Sequence, residues 1–208
     1  MKGSRIYVDI DDVLSRTIES LVALLERTHD RRVDVEAVHD FDLALSFGLT
    51  PVEIEAFMER AHSDEILEAL KPEEGAAAAL RSWAEQGHSV ALVTGRPPTT
   101  QAASLRWLER HEIAHDSLHH LDKWGRPAWN DGSLPALRFD DIEAMGFAFA
   151  VEDSLETAVR LVEDFEIQVA LMDRPWNRNF EGVSSKARAG MTRCEGWNAV
   201  ADLFAKAG

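Results

Sequence analysis

The chain has 208 residues, of which 45% are hydrophobic and 28% charged, a composition typical of a globular protein with one full hydrophobic core. Its 37 acidic and 22 basic residues give a formal net charge of −15, so its surface repels nucleic-acid backbones and anionic membranes. A single cysteine excludes a disulfide framework, and neither a signal-peptide pattern nor a membrane-spanning apolar run is seen. We therefore expect a cytoplasmic protein that binds a small molecule, with no nucleic-acid polymer and no membrane as partner.

Short apolar, β-branched runs that end in acidic or small polar residues predict buried parallel strands. They lie at residues 5–10, 89–94, 147–151 and 167–172, with weaker strand patterns at 117–121 and 191–194. Helical patterns separate them, at residues 72–86, 99–111, 154–165 and 197–205. This alternation predicts the α/β class, with a doubly wound, Rossmann-like parallel sheet of five to six strands.

The stretch after the first strand breaks the alternation. Residues 14–71 show helical periodicity and no strand pattern, and the stretch is too long for a single crossover helix. We therefore expect an α/β core formed by residues 1–13 and 72–208, and a small helical cap formed by residues 14–71 and inserted after strand 1.

Acidic residues follow the first predicted strand, where ligands bind in open parallel sheets. Strand alternation places Asp9 and Asp11 on one side, and two close carboxylates repel each other unless a cation or a proton separates them. Carboxylate oxygens suit Mg²⁺, beside which an aspartate can attack a phosphoryl group. A solvated acidic turn is the alternative explanation for this segment alone.

Three further segments fit the same chemistry. Thr94, Gly95 and Arg96 form a strand-to-helix turn that can hold phosphate oxygens, although such turns are also common without a ligand. The pair Glu152-Asp153 ends another strand and can either complete a metal site or cap the next helix. Lys123, between these segments in the sequence, can supply a positive charge for phosphoryl transfer.

In order and spacing, Asp9 to Val13, Thr94, Lys123 and Glu152-Asp153 resemble the four motifs of the haloacid dehalogenase-like hydrolase superfamily, over almost the whole chain. The resemblance implies that Asp9 is the nucleophile, which forms an aspartyl-phosphate, and that Asp11 is the general acid/base.

The same resemblance implies the rest of the site. Thr94 and Lys123 would hold the phosphoryl group, together with Gly95 and Arg96, and Arg126 is the nearest rival to Lys123. Asp9, Asp153 and the main-chain carbonyl of Asp11 would bind Mg²⁺. The neighbouring acidic residues Asp12 and Glu152 would support these ligands.

The helical insertion resembles a C1-type cap, and three segments are similar to the cytosolic 5′(3′)-deoxyribonucleotidases: residues 40–43, residues 173–178, and Arg193 with Trp197. The chain departs from that family at Glu152, where an aspartate is frequent, and at Gly95-Arg96 after the motif threonine. These departures leave a sugar phosphate open as the substrate.

We therefore expect a magnesium-dependent phosphomonoesterase that acts on a (deoxy)nucleoside monophosphate. The alternatives are a phosphatase of a sugar phosphate or another small phosphorylated metabolite, a phosphotransferase, and a non-catalytic phosphate-binding protein. Phe41, Phe47 and Trp176 are candidate specificity residues, and a homodimer stays open. The alternative for the two phenylalanines is that they form the core of the cap.

Overall fold

The computed structural model describes residues 3–123 and 136–207. Six parallel strands form one sheet in the order β3-β2-β1-β4-β5-β6. The strands are β1 (Arg5–Val8), β2 (Ser89–Thr94), β3 (Ser117–His120), β4 (Phe149–Glu152), β5 (Gln168–Met172) and β6 (Met191–Cys194). The predicted α/β fold with a doubly wound parallel sheet is confirmed, and both of the weaker strand patterns, which form the two edges, are strands.

Helices connect the strands and also form a separate group after β1. They are α1 (Thr17–His29), α2 (Leu43–Phe47), α3 (Pro51–Ala61), α4 (Asp64–Glu68), α5 (Ala76–Glu85), α6 (Gln101–Arg110), α7 (Phe139–Met145), α8 (Leu155–Phe165), α9 (Ser185–Gly190) and α10 (Trp197–Ala207). The sequence did not predict α7 and α9, because helices of seven and six residues are too short to show a clear period. Within the described residues, no helix is both long and apolar enough to cross a membrane.

Apolar side chains cover both faces of the sheet, which makes three layers. Ile6 and Val8 of β1 belong to the cluster that includes residues of α5, α6 and α10. Tyr7 points to the opposite face and belongs to the cluster that includes residues of α7, α8 and α9. Because both faces of the sheet are buried, the inner strands are largely apolar, and this pattern made them predictable, whereas the edge strands β3 and β6 carry polar residues and gave the weaker patterns.

Helices α1 to α4, called the cap helices below, have an apolar cluster of their own that includes Leu25, Phe47 and Phe57. Two adjacent backbone segments join them to the sheet. Ser15 pairs with Pro72 in an isolated bridge, and the Glu73 N–H donates to the carbonyl of Leu14 at 2.7 Å.

The carboxyl ends of the strands form the edge of the sheet that lies under the cap helices. β1 lies between β2 and β4, so the chain leaves β1 toward one side of the sheet and later returns to its other side. In open parallel sheets this change of direction creates the crevice in which ligands bind. The residues that follow β1, β2 and β4 therefore come together at this edge.

Candidate active site

Asp9 lies directly after β1 and is buried beside a lysine. The Lys123 ammonium donates to Asp9 Oδ1 at 3.1 Å and to Glu152 Oε1 at 2.5 Å. Burial alone would lower the pKa of Lys123, but the carboxylates of Asp9 and Glu152 raise it well above its ordinary value. Lys123 is therefore a fixed positive charge beside Asp9, the residue that the superfamily resemblance predicts as the nucleophile.

Glu152 anchors this arrangement. Its Oε1 also accepts a hydrogen bond from the Tyr7 hydroxyl at 3.0 Å, and its Oε2 accepts from the backbone N–H groups of Asp153 and Ser154, both at 2.9 Å. With four donors, the acceptor capacity of the carboxylate is used. This geometry favours the predicted supporting role of Glu152, which holds Lys123 in place.

The buried carboxylates fit a divalent cation. Carboxylate oxygens of Asp9, Glu152 and Asp153 lie within 4.8 Å of one another, and they form the group of potential metal ligands found among residues 3–123 and 136–207. Burial raises the pKa of both Asp9 and Asp153, and the nearby Glu152 carboxylate raises both further. Lys123 alone does not balance three carboxylates, and oxygen donors of this kind suit Mg²⁺.

Asp153 is held from the loop that follows β5. The Trp176 indole N–H donates to Asp153 Oδ2 at 2.9 Å, and the Asn177 side-chain amide donates to the backbone carbonyls of Asp153 and Met172, both at 2.7 Å. Trp176 also packs against the apolar cluster of the cap helices. The Trp176 side chain thus connects the Asp153 carboxylate with the cap helices.

Asp11 forms a separate ion pair with Arg96. The guanidinium donates from Nε to Asp11 Oδ2 at 2.9 Å and from Nη2 to Oδ1 at 2.7 Å, and the Thr17 hydroxyl donates to Oδ1 at 2.6 Å. Burial alone would raise the pKa of Asp11, but the charge and hydrogen bonds of Arg96 and the Thr17 hydrogen bond hold it below its ordinary value.

Thr94, Gly95 and Asp12 complete the predicted set. Thr94 is fully buried, and its hydroxyl accepts the Arg96 N–H at 3.2 Å, whereas Gly95 lines the cavity above the site. Asp12 has a left-handed φ of 54° and accepts the N–H of Ile18 at the start of α1, at 2.9 Å from Oδ1. Burial raises the pKa of Asp12 to about 8. Asp12 therefore stabilises the junction with the cap helices.

A cavity of about 560 Å³ lies between the sheet edge and the cap helices. Its floor includes Asp9, Asp11, Lys123 and Asp153. Its wall is mainly apolar and includes Ile18, Leu21, Phe41, Ile54, Met58 and Trp176.

Among the candidate specificity residues, Phe41 and Trp176 line this cavity. Phe47 does not, because it is 2% exposed and packs edge-on against Phe57 at a centroid distance of 5.6 Å within the cap cluster. The alternative of a core role is therefore correct for Phe47. Arg126, the rival of Lys123, lies outside the described residues.

Sequence reasoning missed several side chains that hold the site. Tyr7 was detectable, since it lies two residues before Asp9 and alternation gives both the same side of the strand. Thr17, Ser104 and Asn177 gave no signal, because their contacts depend on how α1, α6 and the loop after β5 pack. The strand pattern also extended β1 too far: the strand ends at Val8, and a turn rather than strand alternation brings Asp11 to the cavity.

Comparison with known proteins supports the resemblance drawn from the motifs. No protein-family model matches the chain. The chain is 28% identical over 177 residues to a Halalkalibacterium halodurans protein named "Putative nucleotidase BH1399", which covers 85% of this chain and 83% of that protein.

Solved structures match over nearly the full length. A haloacid dehalogenase family hydrolase from Deinococcus radiodurans, with bound phosphate and sodium, is 16% identical, with a TM-score of 0.62 and coverage of 100% of this chain and 97% of the other. The D,D-heptose 1,7-bisphosphate phosphatase of B. bronchiseptica, complexed with magnesium and phosphate, is 15% identical, with a TM-score of 0.54 and 99% coverage of each chain. The chain thus has the fold of the haloacid dehalogenase-like hydrolases, as its four motifs predicted.

Proposed function

We propose that the protein is a magnesium-dependent phosphomonoesterase that works through an aspartyl-phosphate on Asp9, and that its substrate is a (deoxy)nucleoside monophosphate. The observation that carries the proposal is the position of Asp9, buried 3.1 Å from the Lys123 ammonium and beside Asp153 on the floor of a largely apolar cavity. The nucleotidase name of the Halalkalibacterium halodurans relative supports the substrate class.

The first half of the reaction transfers the phosphoryl group to the protein. A carboxylate oxygen of Asp9 attacks phosphorus, and the bond between phosphorus and the ester oxygen breaks. Lys123 stabilises the negative charge on the phosphoryl oxygens. The ion pair with Arg96 keeps Asp11 ionised, so Asp11 first takes a proton from the monoprotonated phosphate of the substrate and then donates that proton to the departing alkoxide. The products of this half are an alcohol and aspartyl-phosphate.

The second half releases inorganic phosphate. Water attacks the phosphorus of the aspartyl-phosphate while Asp11 accepts its proton, and the Asp9 carboxylate leaves in its original form. Because the acceptor is water in a hydrolase and an alcohol in a phosphotransferase, the same residues serve both reactions.

Asp9 and Asp153 would hold Mg²⁺, with the main-chain carbonyl of Asp11 as the third protein ligand. When bound, the cation would neutralise charge that otherwise keeps an anionic phosphate away from the Asp9 carboxylate. This requirement also argues against a protein that only binds phosphate, since buried carboxylates repel an anion and bring a binder no benefit.

The cavity wall favours an uncharged leaving group. Among the described residues that line it, the lysine and arginine side chains are Lys123 and Arg96, and both already contact carboxylates of the site. A second phosphate would therefore meet no spare lysine or arginine there. Phe41, Met58 and Trp176 instead present surfaces that suit a base or deoxyribose.

The test measures phosphate release with Mg²⁺ from dUMP, dTMP, a sugar monophosphate and a sugar bisphosphate. We expect the highest kcat/KM for a nucleotide, the lowest for the bisphosphate, and a loss of about 10³-fold or more in Asp9→Asn. A nucleotide kcat/KM no higher than that of the sugar monophosphate would contradict the substrate class, and more than a tenth of wild-type activity in Asp9→Asn would contradict the mechanism.

A further inference from the structure

The Arg96 guanidinium is buried and has one charged partner among its hydrogen-bond contacts. Arg96 is 1% exposed, and its Nε and Nη2 form a two-pronged contact with the carboxylate of Asp11. Its Nη1 donates to the Ser104 hydroxyl on α6 at 3.2 Å. A two-pronged arginine contact fixes the plane of a carboxylate as well as its position.

The two carboxylate oxygens of Asp11 accept different numbers of hydrogen bonds. Oδ1 lies within hydrogen-bond distance of Nη2, of Nε and of the Thr17 hydroxyl, at 2.7, 3.1 and 2.6 Å. Oδ2 receives Nε alone, at 2.9 Å. Since each carboxylate oxygen offers about two acceptor sites, the remaining capacity lies on Oδ2.

The turn after β2 places Arg96 for this contact. Its backbone N–H donates to the Thr94 hydroxyl at 3.2 Å, and its carbonyl accepts a hydrogen bond from the His120 ring at 2.9 Å. The backbone N–H and carbonyl of Arg96 are therefore bonded to Thr94 and His120, the last residues of β2 and β3. The guanidinium is hydrogen-bonded to Asp11, Ser104 and Ser15, so little of it is free to hold a substrate phosphate.

We propose that Arg96 is a positioning residue for the general acid/base: it holds Asp11 so that Oδ2 handles the transferred proton, and it does not bind the phosphoryl group. The inference rests on the proposed function, because it concerns how Asp11 performs its part. It also accounts for the arginine after the motif threonine, where the chain departs from the deoxyribonucleotidase pattern.

The test compares Arg96→Gln with the wild type, using dUMP and p-nitrophenyl phosphate, with Arg81→Gln as a matched control in the exposed ion pair with Glu112. We expect kcat of Arg96→Gln to fall about 10²-fold, the scale of a general acid/base contribution, while KM and the inhibition constant of inorganic phosphate stay within about threefold. A rise in KM and in the phosphate inhibition constant that accounts for the loss would instead make Arg96 a phosphate ligand and overturn the inference.

A double-mutant cycle separates positioning from general structural support. In an Asp11→Asn background, Arg96→Gln should cost less than about threefold in kcat, because the group that it positions is already lost. A similar loss in both backgrounds would contradict the inference. Arg96→Lys gives a second reading in case Arg96→Gln does not fold: it keeps the charge but loses the two-pronged contact, so kcat should fall with KM unchanged, and wild-type kcat would contradict the inference.

Failure of the inferred role of Arg96 can be distinguished from failure of the proposed function. More than a tenth of wild-type activity in Asp9→Asn contradicts the proposed function. Activity that depends on Asp9 but is the same in Arg96→Gln and in the wild type contradicts the role of Arg96 alone.

Discussion

The site has two parts, one around Asp9 and one around Asp11, and they differ in how their buried charges are balanced. Around Asp9, three carboxylates lie close together and one lysine pairs with two of them, and burial raises the pKa of Asp9 and Asp153. Around Asp11, one carboxylate meets one arginine, and the arginine lowers the pKa of the carboxyl group. The part around Asp9 has more negative than positive charge and would need a further cation to balance it, whereas the charges of Asp11 and Arg96 balance each other. We therefore expect metal and phosphate beside Asp9, and we expect Asp11, which is ionised in its pair with Arg96, to accept a proton and pass it on.

The largest effect should come from replacing the nucleophile. Asp9→Asn keeps the shape of the side chain but removes both the attacking oxygen anion and a metal ligand, so turnover should fall about 10³-fold or more. Phosphate release by purified protein measures this, and circular dichroism checks the fold. More than a tenth of wild-type activity in folded Asp9→Asn would remove Asp9 from the chemistry.

Lys123→Ala should reduce kcat by about 10²–10³-fold, the range for losing one charged donor in a closed site. Lys186→Ala, at an exposed lysine near Glu166, is the matched control and should match the wild type. Steady-state kinetics at saturating Mg²⁺ measures both variants. A nearly neutral Lys123→Ala together with a severe Arg126→Ala would move the phosphate-binding role to Arg126.

Sequence reasoning reached the strands and the acidic and basic residues of the site because these depend on local patterns. Apolar runs buried on both faces indicate parallel strands, and ligand-binding residues follow such strands. The partners of these residues depend instead on packing: Thr17, Ser104 and Asn177 come from three separate elements. The same limit applies to Phe47 and Phe41, since both are phenylalanines of the cap and only the packing of α2 against α3 separates a core residue from a wall residue.

Trp176→Phe should weaken metal binding by about 10–100-fold, the usual cost of losing a hydrogen bond to a metal ligand. The ring stays apolar and packed against the cap helices, so the change isolates the indole N–H donated to Asp153. Activity titrated with Mg²⁺ after EDTA treatment gives the apparent affinity. An unchanged Mg²⁺ dependence would show that Asp153 does not need this donor.

The smallest effect on activity should distinguish the two phenylalanines of the cap. Phe41 is 43% exposed and lines the cavity, so Phe41→Ala should change the dUMP to sugar-phosphate ratio of kcat/KM by up to about tenfold, the scale of one aromatic contact. Phe47→Ala should leave this ratio unchanged but destabilise the protein by about 3–5 kcal/mol in urea unfolding. A changed ratio in Phe47→Ala together with an unchanged ratio in Phe41→Ala would show that Phe47, and not Phe41, contacts the substrate.

The central claim, that Asp9 carries the phosphoryl group, is tested most directly by stopping the reaction with acid during turnover and sequencing the peptides by mass spectrometry. We predict one added phosphoryl group on the peptide that contains Asp9, present with substrate and Mg²⁺ and missing in Asp9→Asn. A phosphoryl group on a different residue, or rapid turnover with no phosphorylated peptide at any quench time, would contradict the account.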